Sequence, residues 1–155
     1  MTARVQEQSF ASADRLAVTA TGISVDDARW HHVVFVKPAG LTVAGDARFY
    51  VDGEQVMTTI NTNNLATDIS GNGTPLEIGR YISGTYFDGS LDDIGVYGKA
   101  LSASEVRAIY GNVRTQYSVN CLDFDGSSKY VDVGDIASLK FDVGDAFSIS
   151  VWTRS

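Results

Sequence analysis

The chain has 155 residues, of which 44% are apolar and 20% charged, with a formal net charge of −7. That length fits one domain with a sizeable core. An acidic surface repels phosphate backbones and anionic headgroups, so nucleic acid and membrane surfaces are excluded as expected partners, whereas a neutral sugar, a cation or no ligand at all would suit it.

Alternation of period two dominates from the start. Residues 4–10 and 15–21 (RLAVTAT) read as two strands around an Ala/Ser/Asp turn. Residues 30–36 (WHHVVFV) are the most β-prone run, and Pro38-Ala39-Gly40 ends it. In residues 47–56 (ARFYVDGEQV) the Asp52-Gly53 pair supplies the positive φ angles of a tight hairpin, which splits the stretch into two short strands. Residues 60–74 are polar and rich in Asn, Thr and Gly, the composition of a long surface loop, and strands resume at 76–82 and 90–97.

One helix is predicted. Ser102-Ala-Ser-Glu105 has the form of a capping box, Val106, Ile109 and Tyr110 make an apolar stripe, and Gly111 is placed to end the helix. Residues 112–120 then read as a connector, followed by strands at 121–124, 130–133 and 147–153. Gly is frequent (15) and Pro scarce (2), the balance of many short strands joined by glycine turns. The predicted class is all-β: a two-sheet antiparallel jelly-roll sandwich with one short helix. Cys121 is alone, so no internal disulfide can form and the redox compartment stays open. The N-terminal residues lack a basic-then-apolar secretion signal, and no run approaches the roughly eighteen apolar residues of a membrane span.

Four segments together carry a family resemblance: residues 122–133 (LDFDGSSKYVDV), 147–152 (FSISVW), WHHVVF with FYVDG, and 87–101 (FDGSLDDIGVYGKAL) with the capped helix after it. They resemble the laminin G-like, concanavalin A-like sandwich domains of extracellular proteins, carbohydrate-active enzymes and phage proteins. The order differs. In the family, segments like LDFDG and FSISVW come first; here they come last. The resemblance therefore implies one sandwich domain over residues 1–155 in circularly permuted order, or a slice across two tandem domains. Residues 1–111 then supply the family's C-terminal part, 112–120 the connector and 121–155 the N-terminal part. Joining new ends through a connector of that length costs only a few kcal/mol, on the order of ordinary loop closure. The family also carries more strands between FSISVW and WHHVV than this chain does. A missing hairpin would leave sheet edges unpaired, and open edges recruit partners, so homo-oligomerisation by strand pairing or swapping is an expectation.

The site candidates follow the same chemistry. Asp92 and Asp93 sit in a strand, where carboxylates are disfavoured. Alternation puts Asp92 with Ile94 and Val96, making it the more buried, so it needs backbone amides, a histidine of the WHH strand, or a cation. The resemblance implies that LDFDG lies beside LDDIG, which would bring Asp123 or Asp125 toward Asp92 or Asp93 as ligands of a structural Ca²⁺. His31 and His32 point to opposite faces and make a poor metal chelate: one packs inside, the other faces out. Trp30 and Trp152 have apolar neighbours and read as core anchors, while Tyr81 and Tyr86, around Gly84, can stack on pyranose rings. Loop residues Asn61, Asn63, Asn64 and Asp68 can add hydrogen bonds to sugar hydroxyls or simply be solvated turn residues, and Tyr117 and Tyr130 lie on or next to the connector. No Glu-x-Asp-x-(x)-Glu strand, GxSxG, HExxH or phosphate-binding glycine loop is present, so no enzyme is expected. The leading reading is a non-catalytic recognition module for glycans or a protein surface. The alternative is a structural or assembly unit, such as a phage or particle component or an engineered building block, whose copies associate.

Overall fold

The computed structural model describes residues 2–6, 15–40, 46–63, 76–81, 84–113, 120–139, 141 and 144–155. In chain order these form β1 Thr2–Gln6, β2 Arg15–Ala20, β3 His31–Lys37, β4 Arg48–Val51, β5 Glu54–Val56, β6 Thr58–Asn63, β7 Leu76–Ile78, β8 Arg80–Tyr81, β9 Thr85–Tyr86 and β10 Asp88–Tyr97. Helix α1 Ala103–Val113, β11 Leu122–Asp125, β12 Val131–Gly134, a 3-10 turn at Ala137–Leu139 and β13 Phe147–Arg154 complete the described elements. A six-stranded antiparallel sheet has the order β11-β10-β13-β3-β4-β5, beside a three-stranded sheet β1-β2-β6 and the two-stranded pairs β12-β7 and β8-β9. The fold is all-β with antiparallel sheets, as expected.

Strand β3 is the centre of the core because its alternation serves two faces at once. Val33 and Phe35 pack with Ala20 at the end of β2, Ala47, Phe49 and Phe147, and Ile23, Val51, Phe141 and Val151 border that cluster. From the opposite face, Val34, Val36 and Tyr50 pack with Leu101 and Val106, which brings α1 against the sheet. The two histidines divide as alternation requires. His32 is fully buried on the helix side, whereas His31 keeps 15% of its side chain exposed on the other face.

Both ends of the polypeptide meet in the large sheet. Leu122 lies opposite Leu91, Asp123 opposite Ser90 and Asp125 opposite Asp88, so LDFD runs alongside the start of β10. Strand β13 sits between β10 and β3, with Trp152 opposite both Asp92 and His32. FSISVW, one of the two segments that come first in the family, thus fills the middle of the sheet, and LDFD, the other, lies at its edge beside β10.

Local expectations hold where the chemistry is local. Asp52 and Gly53 take φ values of +52° and +83°, turning β4 into β5. Ser102 and Glu105 form the capping box: the Ser102 hydroxyl accepts from the Glu105 amide at 3.3 Å, and the Glu105 carboxylate accepts from the Ser102 amide at 2.8 Å. Three details differ from the reading of the sequence. Residues 60–63 are not loop but the end of β6, paired with β2 through Leu16 and Asn63. Gly111 does not end the helix; α1 runs through it to Val113, which also takes residues 112 and 113 out of the connector. Trp30 is no core anchor: it lies just before β3, half-buried, with the Arg154 guanidinium 5.0 Å from its ring centre.

Candidate functional site

The aromatic residues expected to meet a ligand are only partly within the described residues. Asn64, Asp68 and Tyr117 lie outside them, and of Tyr81, Asn61 and Asn63 only the backbone is described, Tyr81 in β8 and the two asparagines in β6. Tyr86 is half-buried at the end of β9. Its ring centre lies 6.5 Å from that of Tyr130, which precedes β12 and is 39% exposed.

What sequence reasoning missed is the cation between them. The Arg80 guanidinium stacks on the Tyr130 ring 4.0 Å from its centre, while its Nε and Nη2 donate to both carboxylate oxygens of Glu77. Glu77 hydrogen bonding, and to a smaller degree Tyr86, raises the already high pKa of Arg80, so the charge is permanent. Strand β7 positions Glu77 by pairing with β12, and β8 positions Arg80 by pairing with Tyr86 of β9. The fork geometry fixes a long side chain that would otherwise roam, and the planar guanidinium makes one face of a small platform. Two shallow clefts meet at this stack. One, about 340 Å³, is lined by Gly79, Arg80, Thr85, Tyr86, Phe87 and Leu91; the other, about 290 Å³, by residues 122–124 and 128–131. Leu122, 43% exposed, adds an apolar wall to the second.

The four carboxylates considered as metal ligands are spread along two strands. Asp123 faces Ser90, not Asp92 or Asp93, and accepts from the Ser90 hydroxyl at 2.6 Å and from the Cys121 thiol at 3.6 Å. The Ser90 bond above all holds its carboxyl below the usual range. Asp125 accepts from the amides of Ser127, Ser128 and Lys129 and from the Ser128 hydroxyl, at 2.8–3.1 Å, which depresses its pKa strongly. It closes the β11 turn. Asp92 is half-buried and accepts from the Asp93 amide at 2.9 Å, whereas Asp93 is exposed in a β-bulge with φ of +46°. Calcium wants roughly six to eight oxygen ligands, and among the described residues no three His, Cys, Asp or Glu side chains converge as metal ligands would.

A third cleft, about 850 Å³, lies elsewhere. The loop of residues 21–30 forms one wall through Ile23, Ser24, Val25, Asp26 and Ala28; the start of β10 and the end of β13 form the other. There Arg154 Nη2 donates to the Ser90 hydroxyl at 3.1 Å, so Arg154, Ser90 and Asp123 make one chain of hydrogen bonds across three strands.

The buried histidine belongs to the packing of the helix on the sheet. His32 Nε2 meets the Ser150 hydroxyl at 2.8 Å, its ring packs in a three-ring cluster with Tyr110 and Trp152 at 5.9 and 5.3 Å, those two being 5.7 Å apart, and its Nδ1 has no hydrogen-bond partner among the described residues. It anchors the helix to the sheet.

Comparison with curated proteins returns no match, and neither does comparison with solved structures. The sequence profile described as the concanavalin A-like lectin/glucanases superfamily matches residues 4–107, about two thirds of the chain. That span carries the strand pair β3–β4, the LDDIGVY strand β10 and the start of the capped helix, the same elements that build the large sheet and its helix-covered face. By its sequence profile, the chain belongs to the laminin G-like, concanavalin A-like lectin/glucanases superfamily.

Proposed function

We propose that this domain is a non-catalytic recognition module that binds carbohydrate at the surface around Tyr130. Membership of the superfamily supports a binding role in general. The observation that carries the finer reading is the partly exposed Tyr130 ring, stacked on an Arg80 that Glu77 holds in place. A flat ring presents an electron-rich face to the C–H groups of a pyranose, and the fixed guanidinium and carboxylate offer a donor and an acceptor to its hydroxyls. Tyr86 adds a second ring at the same place. A non-catalytic role is supported by the absence of a paired-carboxylate strand motif in the sequence and by the full burial of His32.

The test is a glycan array followed by calorimetry on any hit. Reproducible binding that Tyr130→Ala reduces at least about tenfold, the effect of losing a stacking contact worth roughly 1–1.5 kcal/mol, supports the reading. Running the array with Ca²⁺ and with EGTA tests the expected structural calcium in the same experiment. A blank array for a well-folded protein sinks the carbohydrate assignment.

A second reading has one observation behind it. Among the described residues, β11 is the outer strand of the large sheet, and it carries the exposed Leu122 beside Tyr130. An open apolar edge suits pairing with a second copy, as an assembly unit requires. Mass photometry showing a discrete multimer that Leu122→Lys dissolves would favour it over glycan binding.

A further inference from the structure

We propose that His31 is a pH-operated clip: its imidazolium ties the loop of residues 21–30 to the β4–β5 turn, and its neutral form releases that loop, which is one wall of the 850 Å³ cleft. The inference concerns a different part of the molecule from the Tyr130 surface and stands independently of the carbohydrate reading.

The geometry makes the argument. His31 Nδ1 lies 2.8 Å from Asp52 Oδ2, and His31 Nε2 lies 3.0 Å from Asp27 Oδ1. An ionised carboxylate only accepts, and a neutral imidazole has one N–H and one lone pair. Two carboxylates, one at each ring nitrogen, are therefore satisfied together only by the doubly protonated ring. Losing the proton sets a nitrogen lone pair against a carboxylate oxygen at hydrogen-bond distance, and one of the two contacts must break.

The contact that breaks is the one to Asp27. Asp52 is locked from both sides, since its other oxygen accepts from the His32 amide at 3.0 Å and its own amide donates to the His32 carbonyl at 2.8 Å. Asp27 is on the loop, where its remaining partners, the Arg29 amide at 3.0 Å and the Arg29 guanidinium at 3.8 Å, move with it. The loop's other ties are the Thr21 amide to the Met57 carbonyl at 2.9 Å, Ile23 packed against the core, the Arg154 guanidinium over the Trp30 ring, the Ala28 amide to a main-chain oxygen of Ser155 at 3.0 Å and the Ser155 hydroxyl to the Val25 carbonyl at 3.1 Å. None of these changes charge between pH 5 and 9, so the imidazole is the loop's pH-dependent fastening in that range.

Among the described residues, the charged partners of the ring nitrogens are Asp27 and Asp52. From the loop it faces Asp27 and Arg29; from the turn, Asp52; and from β13 its cross-strand neighbour is the uncharged Thr153. Glu54, beyond the turn, is engaged by Arg107 of α1 at 3.0–3.2 Å. Burial opposes the charge on His31, but the hydrogen bonds to Asp52 and Asp27 outweigh it and leave its pKa above the ordinary imidazole value. A raised folded-state pKa means that the clip is closed below the ordinary value and lost as pH rises through the raised one.

Amide hydrogen exchange, corrected for intrinsic rates, between pH 5 and 9 tests this directly, with the imidazole ¹⁵N shifts of His31 followed in the same samples. Protection of the Ala28 and Arg29 amides should fall on the order of tenfold as His31 titrates, with the midpoint of the nitrogen shifts. In His31→Gln, whose amide cannot donate at both positions, protection should stay level with pH. Should that variant fail to fold, Asp27→Asn keeps the shape, lowers the His31 titration and flattens the same profile. Protection that ignores the His31 titration, or a His31 already neutral below the ordinary imidazole pKa, overturns the proposal.

Discussion

His32 shows how far one buried ring can shape stability. Burial pushes its pKa below the usual imidazole value, since a proton on Nδ1 would enter the core without an acceptor. The unfolded chain then binds the proton more readily, so this residue destabilises the fold as pH drops below about 6.5. His31, with its raised pKa, acts in the opposite sense: its contribution is present at acid pH and disappears as pH rises through its folded titration. Urea midpoints should therefore separate wild type from His31→Gln most at pH 5 and least at pH 8, with the variant losing stability more steeply on acidification. Ser150→Ala makes a second test, because it strips the one hydrogen-bonding partner of His32 Nε2. Leaving that nitrogen buried and unpaired should cost about 1–3 kcal/mol by chemical denaturation. The opposite orientation of the two histidines was legible from strand alternation alone. The ring partners of His31 were not: Asp27 and Asp52 come four and twenty-one residues away, and the β4–β5 turn brings the second into reach. A histidine next to a strand start and an Asp-Gly hairpin in one sequence is a usable signal for such a cluster.

Elements with a local chemical signature were legible, and those built on backbone pairing alone were not. The capping box declared α1, and Ser102→Ala should destabilise the protein by about 1 kcal/mol, the usual worth of an N-cap oxygen. A double-mutant cycle with Glu105→Ala should show coupling, because the Ser102 hydroxyl and the Glu105 carboxylate bond each other directly at 2.8 Å as well as each other's amides. Gly111 misled because a glycine ends a helix only when the next contacts favour it; here the helix continues through it at a cost of under roughly 1 kcal/mol. Strand β6 was hidden in TTINTN, whose residues have no apolar alternation, since β2 pairs with it through main-chain groups that leave no mark on side-chain pattern. Within β10 a simple parity argument fails past Asp92, because the bulge sets two residues, Asp93 and Ile94, against one on β13. The Arg80–Tyr130 stack escaped for a different reason. Strand β12 follows β7 by some fifty residues in the chain, and nothing in either segment announces that they pair.

At the scale of the molecule, the strand order of the large sheet is the strongest statement the sequence made. Segments from both extremities interleave, with β13 from residues 147–154 inserted between β10 and β3. The superfamily profile ends at residue 107, yet the sheet that it defines has its middle strand beyond that point. We read this as a family fold whose strand order has been rotated along the chain, whether by permutation within one domain or by a boundary that joins parts of two. Either history makes a physical prediction, because β13 hydrogen-bonds on both sides along its length and buries Phe147, Ser148, Ser150, Trp152 and Thr153. A protease site placed within residues 114–119 and cut in the folded protein should leave fragments 1–113 and 120–155 bound to each other, co-eluting and giving one mass under native ionisation. Expressed alone, residues 1–113 would expose the facing edges of β10 and β3 along a whole strand length, a ready template for aggregation. Adding the 120–155 fragment during refolding should rescue solubility, and Trp152→Ala in that fragment should weaken the rescue by removing its largest buried anchor, a loss of roughly 3–5 kcal/mol. Fragments that separate on cutting, with each half folded by itself, would mean that the two ends of the chain do not share a sheet.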